Sequence, residues 1–190
     1  MGHRLPLAVL VAVLGIASAQ TPESSKAFVP GELNPNAPSE TELLGQLTGI
    51  WDIEQEIRNR DGSWGETRRA EWHWYYVLDG HAIQDDWIQP PLSAGDVENR
   101  NFGTNLRIYD TETQTWDMAW IDSTNRGLSS FTATNEDGTV VMVGENPSGR
   151  PVRNRFFDMT RDTFEWVQEW TFDDGATWVP VTQIHATRRD

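Results

Sequence analysis

From Ile50 to Arg188 the chain divides into about ten runs of strand length, each closed by turn chemistry, with almost no sequence of helical period. In the first run Trp51, Ile53, Gln55 and Ile57 alternate with Asp52, Glu54, Glu56 and Arg58, the two-residue repeat of a strand with one buried face. Past Asp61-Gly62-Ser63, residues 68–78 put Ala70, Trp72, Trp74 and Tyr76 on one face and Glu71, His73 and Tyr75 on the other. Asp79-Gly80 is a hairpin signal that leads directly into 81–88. Further runs at 102–109, 115–121, 128–134, 139–144, 150–159, 163–172 and 178–188 are joined by short polar turns such as Asn135-Glu136-Asp137-Gly138 and Asp173-Asp174-Gly175. Turn chemistry roughly every 8–12 residues is the pattern of an all-β sandwich or barrel. Sequential hairpins without long crossovers favour an antiparallel up-and-down β-barrel of about ten strands. Residues 89–101, with Pro90, Pro91 and Gly95, form the longest loop, the expected rim or lid.

The residues before this meander divide in two. Arg4, the apolar run 5–16 and Ala17-Ser18-Ala19 read as a signal peptide over 1–19, too short for a membrane span. Its removal takes away one Arg and no acid, moving the formal charge from −14 to −15. No Cys follows the small residues, so a lipid anchor is disfavoured, and the expected location is the periplasm or the medium without membrane insertion after cleavage. Residues 20–39, with Pro22, Pro30, Pro35 and Pro38, are expected to be an extended, mobile lead-in. Ser39 or Thr41 is then expected to cap a short N-terminal helix over 40–44 that plugs one end of the barrel beside Trp51.

The remaining 40–190 form one domain, about 150 residues, enough to bury roughly two-thirds of the unfolded surface. With no cysteine in the chain the core alone must hold the fold, and ten Trp, seven Phe and three Tyr supply it. Each aromatic buries on the order of 150–250 Å². The acidic balance excludes nucleic acid as a partner, because phosphate binding rests on clustered Lys and Arg.

Gly49-Ile50-Trp51 after a short helix, the antiparallel meander, and Arg188 at its end resemble the signature of the lipocalins and the wider calycin superfamily. The segments Gly103-Thr104-Asn105-Leu106-Arg107-Ile108-Tyr109-Asp110 and Asp173-Asp174-Gly175-Ala176-Thr177-Trp178 are also similar to an exported bacterial domain family of unknown function with that barrel. The resemblance covers about 43–189 and implies a cup-shaped, calycin-like barrel holding a small, mostly apolar ligand. Gly49, Trp51 and Arg188 enter as fold determinants, the guanidinium lying over the indole and joining first strand to last. Such a contact is worth about 0.5–2 kcal/mol.

Several constellations invite chemistry and lose to plainer readings. Thr171 to Trp178 resembles the Asp-box hairpin of sialidases, but a propeller needs more strands than this chain holds, which leaves a locally bonded turn. His73, His81 and Asp85-Asp86 lack metal-ligand spacing, so no metal site is expected. His185 lies near where the haem-binding nitrobindin barrels, which the chain distantly resembles, carry their iron ligand. Here Asp52-Ile53-Glu54 replaces their glycine-rich motif, and period two sets His185 with Gln183 and Thr187, opposite Ile184 and Ala186. No cofactor is implied.

If Trp74, Trp120 and Trp166 point inward, they form an aromatic wall for a hydrophobic or amphipathic molecule, with Arg107, Gln168 or Glu169 orienting it. The alternative is ordinary core and ordinary exposed strand face. The expected function is therefore that of an exported small-molecule-binding protein. A second reading is an isomerase, hydratase or decarboxylase using Glu169 or Asp85 inside the cup. A third is a carbohydrate-binding or envelope module using exposed Trp64 and Trp178. The residues do not fix the oligomeric state.

Overall fold

The computed structural model describes residues 31–146 and 148–189; the segment expected to be a signal peptide and most of the expected lead-in lie outside the described residues. Ten antiparallel strands form one closed barrel: β1 (Gly49–Ile57), β2 (Arg68–Val77), β3 (Ala82–Gln89), β4 (Asn101–Asp110), β5 (Thr115–Asp122), β6 (Leu128–Glu136), β7 (Thr139–Glu145), β8 (Pro151–Phe157), β9 (Thr163–Trp170) and β10 (Val179–Arg188). Every strand pairs with its neighbours in sequence, and β1 pairs with β10 to close the wall. Closure leaves no long strand edge for foreign pairing. The antiparallel up-and-down barrel expected from the spacing, calycin-like as the resemblance implies, is the architecture found.

The two-residue repeat sorts side chains as the pleat requires. Trp51, Ile53, Ala70, Trp72, Trp74, Ile83, Trp116, Met118, Phe156 and Phe164 belong to one buried cluster, while their immediate strand neighbours largely face out. One end of the barrel is filled. Trp51 meets Phe164 edge-on at 4.7 Å between ring centroids, Trp72 and Trp74 lie 5.1 Å apart, and Trp74 meets Phe156 at 5.6 Å. Offset and edge-to-face pairs of this kind add about 0.5–1.5 kcal/mol each to the area they bury.

The short helix α1 (Thr41–Gly45) closes that filled end, burying Leu44, and the chain then buries Leu47 before entering β1. The Trp51 indole N–H donates to the Leu47 carbonyl at 2.7 Å. Ser39 and Thr41 do not cap the helix through their side chains. The amides of Thr41, Glu42 and Leu43 instead donate to the carbonyls of Pro38, Ser39 and Glu40, so the preceding turn supplies the acceptors that a cap would provide.

Arg188 pairs in register with Trp51, and its guanidinium lies 4.2 Å from that ring's centroid. It donates to the carbonyls of Gln46, Thr48 and Arg161, tying the helix exit and the 158–162 turn to the last strand. Gly49 has a positive φ of 131°, and a Cβ there would meet the Arg188 guanidinium, so glycine is what lets this strap lie flat.

Residues 31–39, the described part of the expected lead-in, contact the barrel. Gly31 bridges to Tyr76, the Asn34 amide donates to the Gly80 carbonyl, and the Asn34 side chain donates to the Asp79 carbonyl. The segment is held against the β2–β3 turn by backbone pairing that its proline content does not prevent.

Candidate ligand-binding site

Away from α1 the barrel opens. The mouth is bordered by the connections 58–67, 90–100, 123–127, 146–150 and 171–178, so the long loop after β3 does form part of the rim. That loop is tied down by side chains. Arg100 donates to the carbonyls of Pro90, Pro91 and Gly95, and the buried Glu71 accepts the Leu92 amide at 2.5 Å and Arg189 Nη1 at 2.7 Å. Burial pushes the Glu71 carboxyl up, but the Leu92 amide and Arg189 outweigh it and leave its pKa below the ordinary value. The 171–178 turn is locked by Asp173, whose carboxylate accepts from the hydroxyls of Thr171 and Thr177 and from the Thr177 amide. Gly175 beside it takes positive φ. This is the local turn expected, with no propeller attached.

Inside the mouth lies a cavity of about 380 Å³. Its walls are the aromatic rings of Trp72, Trp87, Trp120, Phe131, Phe156 and Trp166. Polar groups are set among them: Asn105, Arg107, Asn154 and Gln168 further in, and Gln55, Gln89, Asn101 and Asp122 toward the rim. Trp120 reaches its place because β4 carries Gly103 opposite, where any Cβ would overlap the indole ring.

The floor is a buried ion pair. Arg107 on β4 is 1% exposed and Asp85 on β3 is fully buried; Arg107 Nη1 contacts Asp85 Oδ2, and the Trp72 indole N–H donates to Asp85 Oδ1 at 2.5 Å. The guanidinium also lies 4.3 Å from the Trp74 ring centroid. Burial pulls the Arg107 pKa down to about 9, which leaves it charged at neutral pH and facing the Asp85 carboxylate. Asp122, at the rim, is satisfied locally by the Trp120 indole, the amides of Thr124 and Asn125, and the Asn125 side chain. Burial tends to raise its pKa, and those donors outweigh it and lower it.

The structure brings Arg107, Trp120, Trp166 and Gln168 together around this cavity. Trp74 faces inward but lies beneath it, in the packed half under Arg107. Glu169 is the exception. It follows Gln168 on β9, so the pleat turns it to the outer face, where it is 4% exposed. There it accepts from Arg153 at 2.7 Å and from Arg155 at 3.1 and 3.2 Å. Burial alone would raise its pKa, but the two arginines outweigh that and hold it below the usual carboxylate range. Glu169 therefore neither reaches the cavity nor has a proton to give near neutral pH.

Among the described residues the histidines stay outside the cavity. His185 faces out, with Nδ1 at 2.6 Å from Glu165 Oε1, and His73 sits on the outer face of β2 with Nε2 at 3.6 Å from Glu71. Asp85 and Asp86 point to opposite faces, Asp86 accepting from the Tyr75 hydroxyl at 2.6 Å. Among the described residues no group of three or more metal-ligating side chains is close enough to hold an ion. Trp178 is covered by the Arg153 guanidinium at 4.7 Å from its centroid, and Trp64 lines a shallow outer hollow beside Phe157 and His185.

Sequence reasoning missed Asn105 and Asn154. A signal was present: Asn154 stands between Val152 and Phe156, in the apolar phase of β8, and Asn105 shares the phase of Arg107 on β4. An asparagine at a position whose strand neighbours two away are buried marks an interior that is not wholly dry.

Fold and site together define a calycin-like barrel, closed at one end and hollow at the other, with a ligand-sized, aromatic-walled cavity. No family model and no curated protein sequence matches the chain. Among solved structures it is similar to the S-type phycobiliprotein lyase of Guillardia theta, with a TM-score of 0.54 and 14% identity over 80% of this chain and 94% of the other. At that identity the likeness is one of fold.

Proposed function

We propose that this protein is an exported binding protein that holds a small hydrophobic or amphipathic molecule in the open half of its barrel. The observation that carries the reading is the aromatic-walled cavity of about 380 Å³ set over a buried Arg107–Asp85 pair. Protein interiors are close-packed, and voids larger than a water molecule are few. A cavity of this size with aromatic walls and convergent polar groups has the form of a small-molecule site. Trp120 and Trp166 contact the ligand's faces, while Arg107 and Gln168 orient it. The shared fold of the phycobiliprotein lyase supports the reading only through its barrel architecture.

Export rests on the N-terminal segment 1–19, whose basic, apolar and small-residue order is that of a signal peptide, with the periplasm or medium as the proposed location. An N-terminus beginning at Gln20 in protein recovered outside the cytoplasm tests it. Native mass spectrometry of freshly isolated protein tests the binding: a retained small molecule is expected. Tryptophan emission should also change when the bound molecule is stripped, since Trp72, Trp87, Trp120 and Trp166 line the wall. Protein that carries nothing and whose emission responds to no hydrophobic compound would refute the reading.

A further inference from the structure

The cavity's polar groups have a specific charge and hydrogen-bond balance. Its one buried cation, Arg107, already faces the buried carboxylate of Asp85, so the floor carries no net charge. Asp122 adds a negative charge at the rim, and the chain's formal net charge is −14. No uncompensated cation among the lining residues is left to receive an anionic head. Burying a carboxylate here would cost several kcal/mol of desolvation with no partner to offset it, or would have to take Arg107 from Asp85 and strand the latter.

What remains unmet is two neutral amide acceptors and one N–H of the charge-paired Arg107. Asn105 and Asn154 are each 4% exposed and line the cavity, yet Asn105 Oδ1, Asn154 Oδ1 and Arg107 Nε have no hydrogen-bond partner. A buried unsatisfied polar atom is destabilising, so nearly all such atoms in folded proteins are paired. Each asparagine presents an N–H₂ donor and a carbonyl acceptor, and the two sit among flat rings. A partner that meets these atoms has both a donor and an acceptor, has no formal charge, and is flat enough to lie between indoles.

Resting on the proposed binding function, the geometry points to an uncharged, ring-containing ligand with an amide-type donor–acceptor pair, such as a lactam, carboxamide or N–H heteroaromatic, held by Asn105 and Asn154; fatty acids and other carboxylates are excluded.

The test uses matched probes on the full mature chain. N-phenyl-1-naphthylamine, neutral and fluorescent in apolar surroundings, should bind saturably, and its sulfonated analogue 8-anilino-1-naphthalenesulfonate at least tenfold more weakly. In competition, naphthalene-1-acetamide should displace N-phenyl-1-naphthylamine at a concentration at least tenfold lower than either naphthalene-1-acetate or 1-ethylnaphthalene. Asn154→Leu, and separately Asn105→Leu, should erase the acetamide's advantage while leaving 1-ethylnaphthalene unaffected. If one variant does not fold, the other and the wild-type competition series still decide. Equal or better competition by the acetate, or no advantage of the acetamide over 1-ethylnaphthalene, overturns the neutral-amide proposal and leaves the cavity standing as a binding site. If no naphthalene probe binds at all, the failure lies in the binding function itself.

Discussion

The same ten strands run through both halves of this barrel, yet one half is packed and the other hollow. At the α1 end Trp51, Trp74, Phe156, Phe164, Leu44 and Leu47 are all but inaccessible and meet ring on ring. At the mouth end the interior positions of the same strands carry Gln55, Gln89, Asn101, Asp122 and Gln168. Side chains that keep hydrogen-bonding capacity cannot be pressed together dry without losing it, whereas apolar rings gain by every contact. The barrel's closure and its proposed binding role are thus divided along its axis by side-chain polarity.

That division can be attacked from both sides. Trp51→Ala removes a fully buried ring from the packed half and should destabilise the fold by about 3–5 kcal/mol in denaturant titration. Probe affinity per folded molecule should be unchanged; a loss of affinity would show that the halves are not separable. At the boundary, Asp85→Ala leaves Arg107 buried without its carboxylate and should also cost about 3–5 kcal/mol. The double variant Asp85→Leu with Arg107→Met should regain most of that, because the charge pair is then replaced by apolar bulk, and failure to regain it would mean that the pair organises the strands beyond its charge balance.

Trp120→Ala, in the hollow half, should cost only about 1 kcal/mol of stability. The same change should weaken N-phenyl-1-naphthylamine binding about tenfold in fluorescence titration, the reverse of the Trp51 result. The smallest effect concerns the rim. Glu71 has a folded pKa below its ordinary 4.5, so its contribution to stability is present above that ordinary value and is lost as the pH falls through the lower folded one. Glu71→Gln should flatten part of the fall in melting temperature below about pH 4.5. An acid limb identical to that of the wild type would show that the Leu92 and Arg189 bonds hold the loop without stabilising it.

Most of the architecture was legible because its cause is local. Alternation along each strand and the Asp-Gly and Asn-containing turns are written within a few residues of where they act, and the structure has ten strands and a single helix longer than one 3₁₀ turn among the described residues; the Trp51–Arg188 strap joins residues far apart in sequence and was legible through the resemblance. The contacts of the 31–39 segment were not legible because its partners, Tyr76, Asp79 and Gly80, are distant in sequence. Glu169 was misassigned by a single residue of phase, which in a strand is the difference between lumen and surface.

The alternating pattern and turn residues determined by themselves that this chain makes an antiparallel barrel, since period two commits one face of every strand to the interior. Only the tertiary structure decided which interior positions are core and which are cavity wall. That depends on how far rings from opposite strands reach across the lumen, on Arg107 meeting Asp85 between β4 and β3, and on the Oδ1 atoms of Asn105 and Asn154 being left without partners, and none of these distances is encoded in any one segment.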